Sequence, residues 1–209
     1  MSEEYPIPSW LNVSRETQDK LAALLALVSK WNKAINLVSA SSLQDGWNRH
    51  VLDSAQLVLA TDKRVGRWLD IGSGAGFPGL VVSIVLDEIN PAVWVTLVES
   101  DRRKATFLSE AVRTLDLKAD VLCGRIEQQA PMNAAIVSAR AFAPLSRLLD
   151  DVQPHMAEGG VGVFLKGQSH QAEVSAAMKN WMFDCDVIPS RTYDSSVVLR
   201  LEKVRHVKS

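Results

Sequence analysis

Three glycines at alternate positions, Gly72, Gly74 and Gly76, follow an apolar segment in the run Leu69-Asp70-Ile71-Gly72-Ser73-Gly74-Ala75-Gly76-Phe77-Pro78-Gly79. The run reads as a buried strand that breaks into a tight turn and then into a helix, whose first turn suits Pro78. Without Cβ atoms the turn can bring its backbone close to a ligand, so the chemistry to expect is nucleotide recognition. The spacing is not the Gly-x-Gly-x-x-Gly of dinucleotide enzymes, and no Lys-Ser/Thr pair is present to hold a polyphosphate. Glu99 closes the next apolar segment, 93–99, at the distance where folds of this kind place a carboxylate on ribose hydroxyls. Taken alone, the turn could be purely structural and Glu99 a solvated strand end. Their combination, with Asp70 two residues ahead of Gly72, favours a ligand.

The elements that must position these residues follow from periodicity. Leu21, Leu24, Leu25, Val28 and Trp31 recur at three- and four-residue steps, which predicts an amphipathic helix over 14–31 capped by Ser14. A second helix is predicted over 43–60, with Trp47, Val51, Ala55 and Val58 on one face. Together they form an N-terminal helical cap, 1–62, in one compact unit with a Rossmann-like domain, 63–209. In that domain strands at 67–71, 93–99, 119–123, 134–138, 160–165, 183–188 and 196–203 alternate with helices at 78–87, 101–116, 144–157 and 170–180. Such alternation predicts an α/β fold, a mostly parallel seven-stranded sheet with helices on both faces. Val95, Leu97, Ile136, Val137, Val161, Val163 and Leu165 should lie inside it. Ligands of an open sheet sit beyond the carboxyl ends of its strands. Arg140 and Lys166 stand at two such ends, where small polar residues usually turn the chain, and both should face one crevice.

Composition narrows the field. The 209 residues are 47% apolar, enough for a sizeable core, and 23 Lys and Arg against 24 Asp and Glu give a net charge of −1, so any RNA contact rests on local patches. The two cysteines, Cys123 and Cys185, lie far apart with no metal-ligand spacing, which reads as reduced core thiols in a cytoplasmic protein without zinc. The acidic start Met1-Ser2-Glu3-Glu4 is unlike a signal peptide, and the apolar run 77–86 is too short to span a bilayer. A monomer is expected, since no apolar helix face is left over.

The glycine turn and Glu99 resemble the S-adenosylmethionine site of class I methyltransferases. With WNKAINLV at 31–38, RHVLDS at 49–54, VSARAFAPL at 137–145 and FLKG at 164–167, nearly the whole chain resembles the ribosomal RNA small subunit methyltransferase G family, also called glucose-inhibited division protein B. The resemblance implies an enzyme that uses S-adenosylmethionine to methylate N7 of a guanine in the decoding-region loop of 16S rRNA, in the small ribosomal subunit. It places Gly72, Phe77, Ile126, Glu127 and Arg140 at the cofactor, with Phe77 lining the apolar side of the pocket. From their shared position at the strand ends, Arg140 and Lys166 are the expected catalytic pair: Lys166 toward O6 or a phosphate, Arg140 toward the cofactor carboxylate or bridging cofactor and RNA. Lys30, Lys33, Arg49, His50 and the tail cations Arg200, Lys203, Arg205, His206 and Lys208 are candidates for the RNA backbone. Trp31, Trp47 and Phe142 are candidates for stacking, although the spacing of Trp31 and Trp47 also suits core. His50 and Asp53 could pair on one helix face. Many relatives carry a basic residue where this chain has Ser195 and Ser196, a place Arg191 or Arg200 could fill. Two other functions fit the same sheet, an NAD(P)-binding oxidoreductase and an RNA adaptor without catalysis.

Overall fold

A computed structural model describes residues 5–61, 66–140 and 142–207. Its centre is a seven-stranded sheet in the order β3-β2-β1-β4-β5-β7-β6. The strands are β1 Gly66–Ile71, β2 Val93–Glu99, β3 Ala119–Cys123, β4 Ala134–Arg140, β5 Met156–Lys166, β6 Trp181–Pro189 and β7 Val197–His206. Strands β1 to β5 run parallel, while β7 inserts antiparallel between β5 and β6. The chain leaves β1 toward β2 on one side and reaches β4 on the other, so strand order reverses at β1. That reversal opens the crevice in which such sheets bind ligands, above Gly72 and Arg140.

Central strands buried on both faces favour near-continuous apolar runs. Val95, Leu97, Ile136, Val137, Val161, Val163 and Leu165 are all buried, as their sequence context predicts. Alternate residues of β1 serve opposite cores. Trp68 packs with Val95, Ile136 and Val163 on the face covered by the N-terminal helices. Leu69 and Ile71 pack with Val137, Phe164 and Leu148 on the other. Helix α4, Gly79–Ile89, is buried from Gly79 to Leu86 because it lies between the sheet and α1, Arg15–Asn32.

Ser14 caps α1 as predicted: its Oγ accepts from Thr17 N at 3.3 Å and donates to Glu88 Oε2 of α4 at 2.9 Å. Ser14→Ala should therefore cost about 1 kcal/mol, read as a lower urea midpoint at unchanged slope.

The helix predicted over 43–60 is four pieces instead: α2 Ala40–Gln44, a π turn Trp47–Leu52, α3 Asp53–Ala55 and a 3₁₀ turn Gln56–Ala60. Asp45 leaves helical geometry at the end of α2, and its carboxylate accepts from Asn48 Nδ2 and from Tyr193 Oη, 148 residues away. Gly46 lies so close to Leu25 that a Cβ would come within 2.8 Å of its Cδ1. Trp47, Val51 and Ala55 still face the core, so the periodicity was sound where the helix type was not.

Helix α5 is Arg102–Thr114 and α7 is His170–Ala177. Helix α6, Leu145–Val152, ends short of the predicted 157, because Pro154 sits in a 3₁₀ turn Gln153–His155 that feeds β5. Strand β4 runs two residues past its predicted end, which makes Arg140 its last residue. The cysteines are not core thiols: Cys123 is exposed and Cys185 half-buried, because each lies on an edge strand covered from one side only. The predicted boundary between cap and sheet domain, at 62 and 63, lies outside the described residues. Residues on its two sides share one apolar cluster.

Candidate active site

The turn after β1 is built from backbone bonds. Gly72 N and Ser73 N donate to Val98 O at 2.9 and 3.1 Å, which stitches the turn to the end of β2. Gly72 and Gly74 hold φ at +66° and +55°, a region that side chains with a Cβ rarely adopt. Gly74 N donates to Glu99 Oε2 and Asp101 N to Glu99 Oε1, each at 2.8 Å, so the main chain fixes the buried carboxylate in place. Each oxygen keeps lone-pair capacity for a further donor. Gly76 abuts Leu80 and belongs to the turn itself.

Asp70 lies fully buried beneath the turn. Its Oδ1 accepts from Ser138 Oγ at 2.6 Å and its Oδ2 from Gly79 N at 3.2 Å, which ties β1 to β4 and to the start of α4. Burial raises its carboxyl to about 6, against the lowering effect of those bonds.

Two clefts open over this crevice. The smaller, about 90 Å³, is bounded by Gly72, Val98, Ser100, Gly124, Ile126 and Glu127. Ile126 is buried, while Glu127 is exposed and lies 3.9 Å from the guanidinium groups of Arg125 and Arg147. The larger cleft, about 750 Å³, is lined by Arg49, His50, Asp53, Arg140, Lys166 and Tyr193, with Ser195 and Ser196 at its side. Phe142 borders both.

Arg140 and Lys166 thus face one cleft, and each is held in place. Arg140 donates through Nη1 to Arg49 O and through Nη2 to His50 Nδ1, both at 3.0 Å. A guanidinium cannot accept, so the His50 proton resides on Nε2. The His50 ring stacks on Phe77 at 4.7 Å, and Arg140 lies over the same ring at 5.4 Å. Burial, and then the charges of Arg140 and Arg49, push the imidazole down to about 4. Lys166 Nζ donates to Ala143 O and pairs with Glu173 Oε2, both at 2.8 Å. Glu173 also accepts from Leu145 N and Ser169 Oγ. Burial works to raise its carboxyl, but these bonds outweigh it and hold it below the usual carboxylate range.

The structure separates the remaining sequence candidates. Phe77 lines neither cleft and instead supports His50 and Arg140. His50 and Asp53 do not pair: Asp53 accepts from Thr192 Oγ1 and Gln56 Nε2, both at 2.8 Å. Gln56 Oε1 accepts in turn from Arg191 N, so these two side chains fasten the β6–β7 loop to the N-terminal segment. Trp31 packs edge-on to Phe107, and Trp47 Nε1 donates to Pro6 O, which makes both structural. Arg200 is engaged by Ala60 O, Asp186 and Glu202, and Arg191 lies over Trp10. Lys203 pairs with Asp184 and His206 stacks on Trp181. Lys208 lies outside the described residues. Lys33 joins Arg103 and Lys104 at a shallow polar pocket.

Tyr193, Glu173 and the Asp53–Thr192 bond escaped the sequence reading, because none of them carries a local motif. Among the described residues, no group of three or more His, Cys, Asp or Glu is placed to hold a metal ion, and no helix is long and apolar enough to cross a membrane.

Comparison with known proteins adds an independent line. The family model described as rRNA small subunit methyltransferase G matches residues 17–195. A Cereibacter sphaeroides protein named ribosomal RNA small subunit methyltransferase G is 47% identical over 197 residues, 94% of this chain and 96% of its own. One from Parvibaculum lavamentivorans with the same name is 47% identical over 192 residues, 91% and 84% of the two chains. Among solved structures, a SAM-dependent methyltransferase from Aquifex aeolicus superposes with a TM-score of 0.60 at 13% identity, covering 85% of this chain and 97% of that one. TYW2 of M. jannaschii in complex with AdoMet gives 0.56 at 11% identity over 82% and 78%. At such identities the structures speak for the fold alone, which is that of the S-adenosylmethionine-dependent methyltransferases.

Proposed function

Because the chain belongs to the rRNA small subunit methyltransferase G family, we propose that it transfers the methyl group of S-adenosylmethionine to N7 of a guanine in 16S rRNA. The observation that carries this reading is the junction at the sheet's reversal point. A glycine turn whose backbone holds the buried Glu99 carboxylate lies there beside a cleft walled by Arg140 and Lys166. Glu99 fits the cofactor's ribose, with two carboxylate oxygens already oriented by backbone donors. Ile126 offers an apolar face for adenine, and the Gly72 backbone allows close approach.

Bound S-adenosylmethionine supplies an electrophilic methyl group on a cationic sulfur. The protein's part is then alignment, because guanine N7 is an unprotonated lone pair and needs no general base. The cleft agrees with that requirement. His50 is neutral and already bonded to Arg140, while Asp53 and Glu173 already accept several hydrogen bonds. The cations must leave N7 open, so a bidentate grip on O6 and N7 is excluded. Lys166, with a third N–H beyond its two partners, is suited to O6 or an adjacent phosphate. Arg140 is suited to the cofactor carboxylate or to a bridge between the two ligands. Arg49, and the patch of Lys33, Arg103 and Lys104, offer charge to the RNA backbone. The working form is a cytoplasmic monomer acting on the small subunit or its rRNA.

The test is methyl transfer from labelled S-adenosylmethionine to 16S rRNA, with the product mapped as N7-methylguanosine. NAD binding, or cofactor binding without transfer, would favour the oxidoreductase or adaptor instead. Lys166→Ala should lower turnover roughly 10- to 100-fold, as loss of a charged hydrogen bond to the base implies, with little change in S-adenosylhomocysteine affinity. Equal losses in both would move Lys166 into the cofactor site.

A further inference from the structure

Phe142 covers Gly72. A Cβ placed on Gly72 would lie 2.4 Å from Phe142 Cδ2 and 3.0 Å from Cε2, so the ring rests directly on the glycine backbone. The same ring borders both the small cleft and the large one, and is the partition between them. At about 90 Å³ the small cleft falls well below the roughly 300–1,000 Å³ of pockets that enclose ligands of nucleoside size and above. A ligand of that size seated there would extend past Phe142 toward the larger cleft.

The two sides of the partition differ in how firmly they are held. Gly72 is bonded through its backbone to Val98, whereas Phe142 has no polar group to tether its side chain and is 39% exposed. The ring is therefore the side that yields. Its neighbour Ala143 offers the carbonyl that accepts from Lys166 Nζ, so a shift at Phe142 reaches the cation facing the large cleft.

Resting on the methyltransferase reading, we propose that Phe142 couples the two ligands by direct contact: it is displaced from Gly72 by the entering cofactor and then stacks against the target guanine. The glycine turn without the ring admits the nucleoside, and the ring without the turn faces the larger cleft, where a flipped-out base would meet it between Arg140 and Lys166. Cofactor binding then builds part of the base site. By linkage, RNA strengthens cofactor binding by the same factor.

Calorimetry of the full chain with S-adenosylhomocysteine, alone and with an rRNA fragment carrying the target loop, tests this against Phe142→Ala and Phe142→Tyr. Removing the ring should tighten S-adenosylhomocysteine binding roughly 3- to 10-fold, since nothing has to be displaced. It should also lower kcat/KM for RNA roughly 5- to 150-fold through lost stacking, and abolish the mutual strengthening of the two ligands. Phe142→Tyr should restore all three readouts. Unchanged or weaker S-adenosylhomocysteine binding by Phe142→Ala, in a chain with unaltered thermal unfolding, overturns the proposal alone. Absence of binding by every form, the unaltered chain included, overturns the methyltransferase reading with it.

Discussion

Replacing Arg140 by Ala is expected to lower single-turnover methyl transfer by about 10²- to 10³-fold and to weaken S-adenosylhomocysteine binding, a broader loss than Lys166→Ala gives. One guanidinium holds three things at once. It donates to Arg49 O and His50 Nδ1 and lies over the Phe77 ring, so the π turn Trp47–Leu52 loses two of its anchors to the sheet when it goes. Arg49, His50 and Asp53, which line the large cleft, lie on that turn or directly after it. In an alignment mechanism a displacement of about 1 Å can cost 10²-fold, and the loss of any direct contact to the cofactor adds to it. Arg140→Lys keeps the charge but not the planar fork that reaches two acceptors, so it should recover only part of the activity. Loss of RNA affinity with intact cofactor affinity would instead assign Arg140 to the RNA. The measurement is rapid-quench methyl transfer beside calorimetry on the same samples.

The residues of this site differ in how they could be read from sequence. Gly72, Glu99, Arg140 and Lys166 were legible because strand-end position is a local property: an apolar segment ends, and whatever follows stands at the carboxyl edge. Helix α1 was legible through its period of 3.6 residues, and the interior of the sheet through near-continuous apolar runs, both of them local properties. Contacts between distant segments leave no such trace. His50 meets Arg140 across 90 residues, Thr192 meets Asp53 across 139 and Tyr193 meets Asp45 across 148. Those long-range bonds accompany the break of the 43–60 segment, whose apolar spacing alone predicts an unbroken helix. Phe142 was visible as an aromatic that could stack, but its seat on Gly72 depends on how the segment after β4 folds back over the turn after β1.

Two buried groups of this site should give stability curves of opposite slope when each is removed in turn. Asp70 is fully buried, and its carboxyl is raised by that burial from 3.8 to about 6. The folded chain thus keeps a proton there that the unfolded chain releases. Its stabilising contribution is complete below pH 3.8 and is lost as pH rises through 6. His50, 4% exposed, is pushed from 6.5 down to about 4 by burial and then by Arg140, so the unfolded chain takes up a proton that the folded chain refuses. Its contribution is complete above pH 6.5 and is lost as pH falls through 4. Between pH 4 and 6 the two slopes oppose each other. Asp70→Asn leaves the histidine slope, so stability relative to the unaltered chain should fall as pH drops from 6.5 to 4. His50→Gln leaves the carboxyl slope, so relative stability should rise over the same descent. Absolute stability will drop in both variants, since Gly79 N loses its carboxylate in one and Arg140 its imidazole acceptor in the other. The informative quantity is therefore the pH dependence of urea unfolding free energies measured at pH 4, 5, 6 and 7. Parallel curves for the three proteins would mean that neither group is held away from its unfolded titration, and would remove the electrostatic basis for a neutral His50 as the acceptor that orients Arg140.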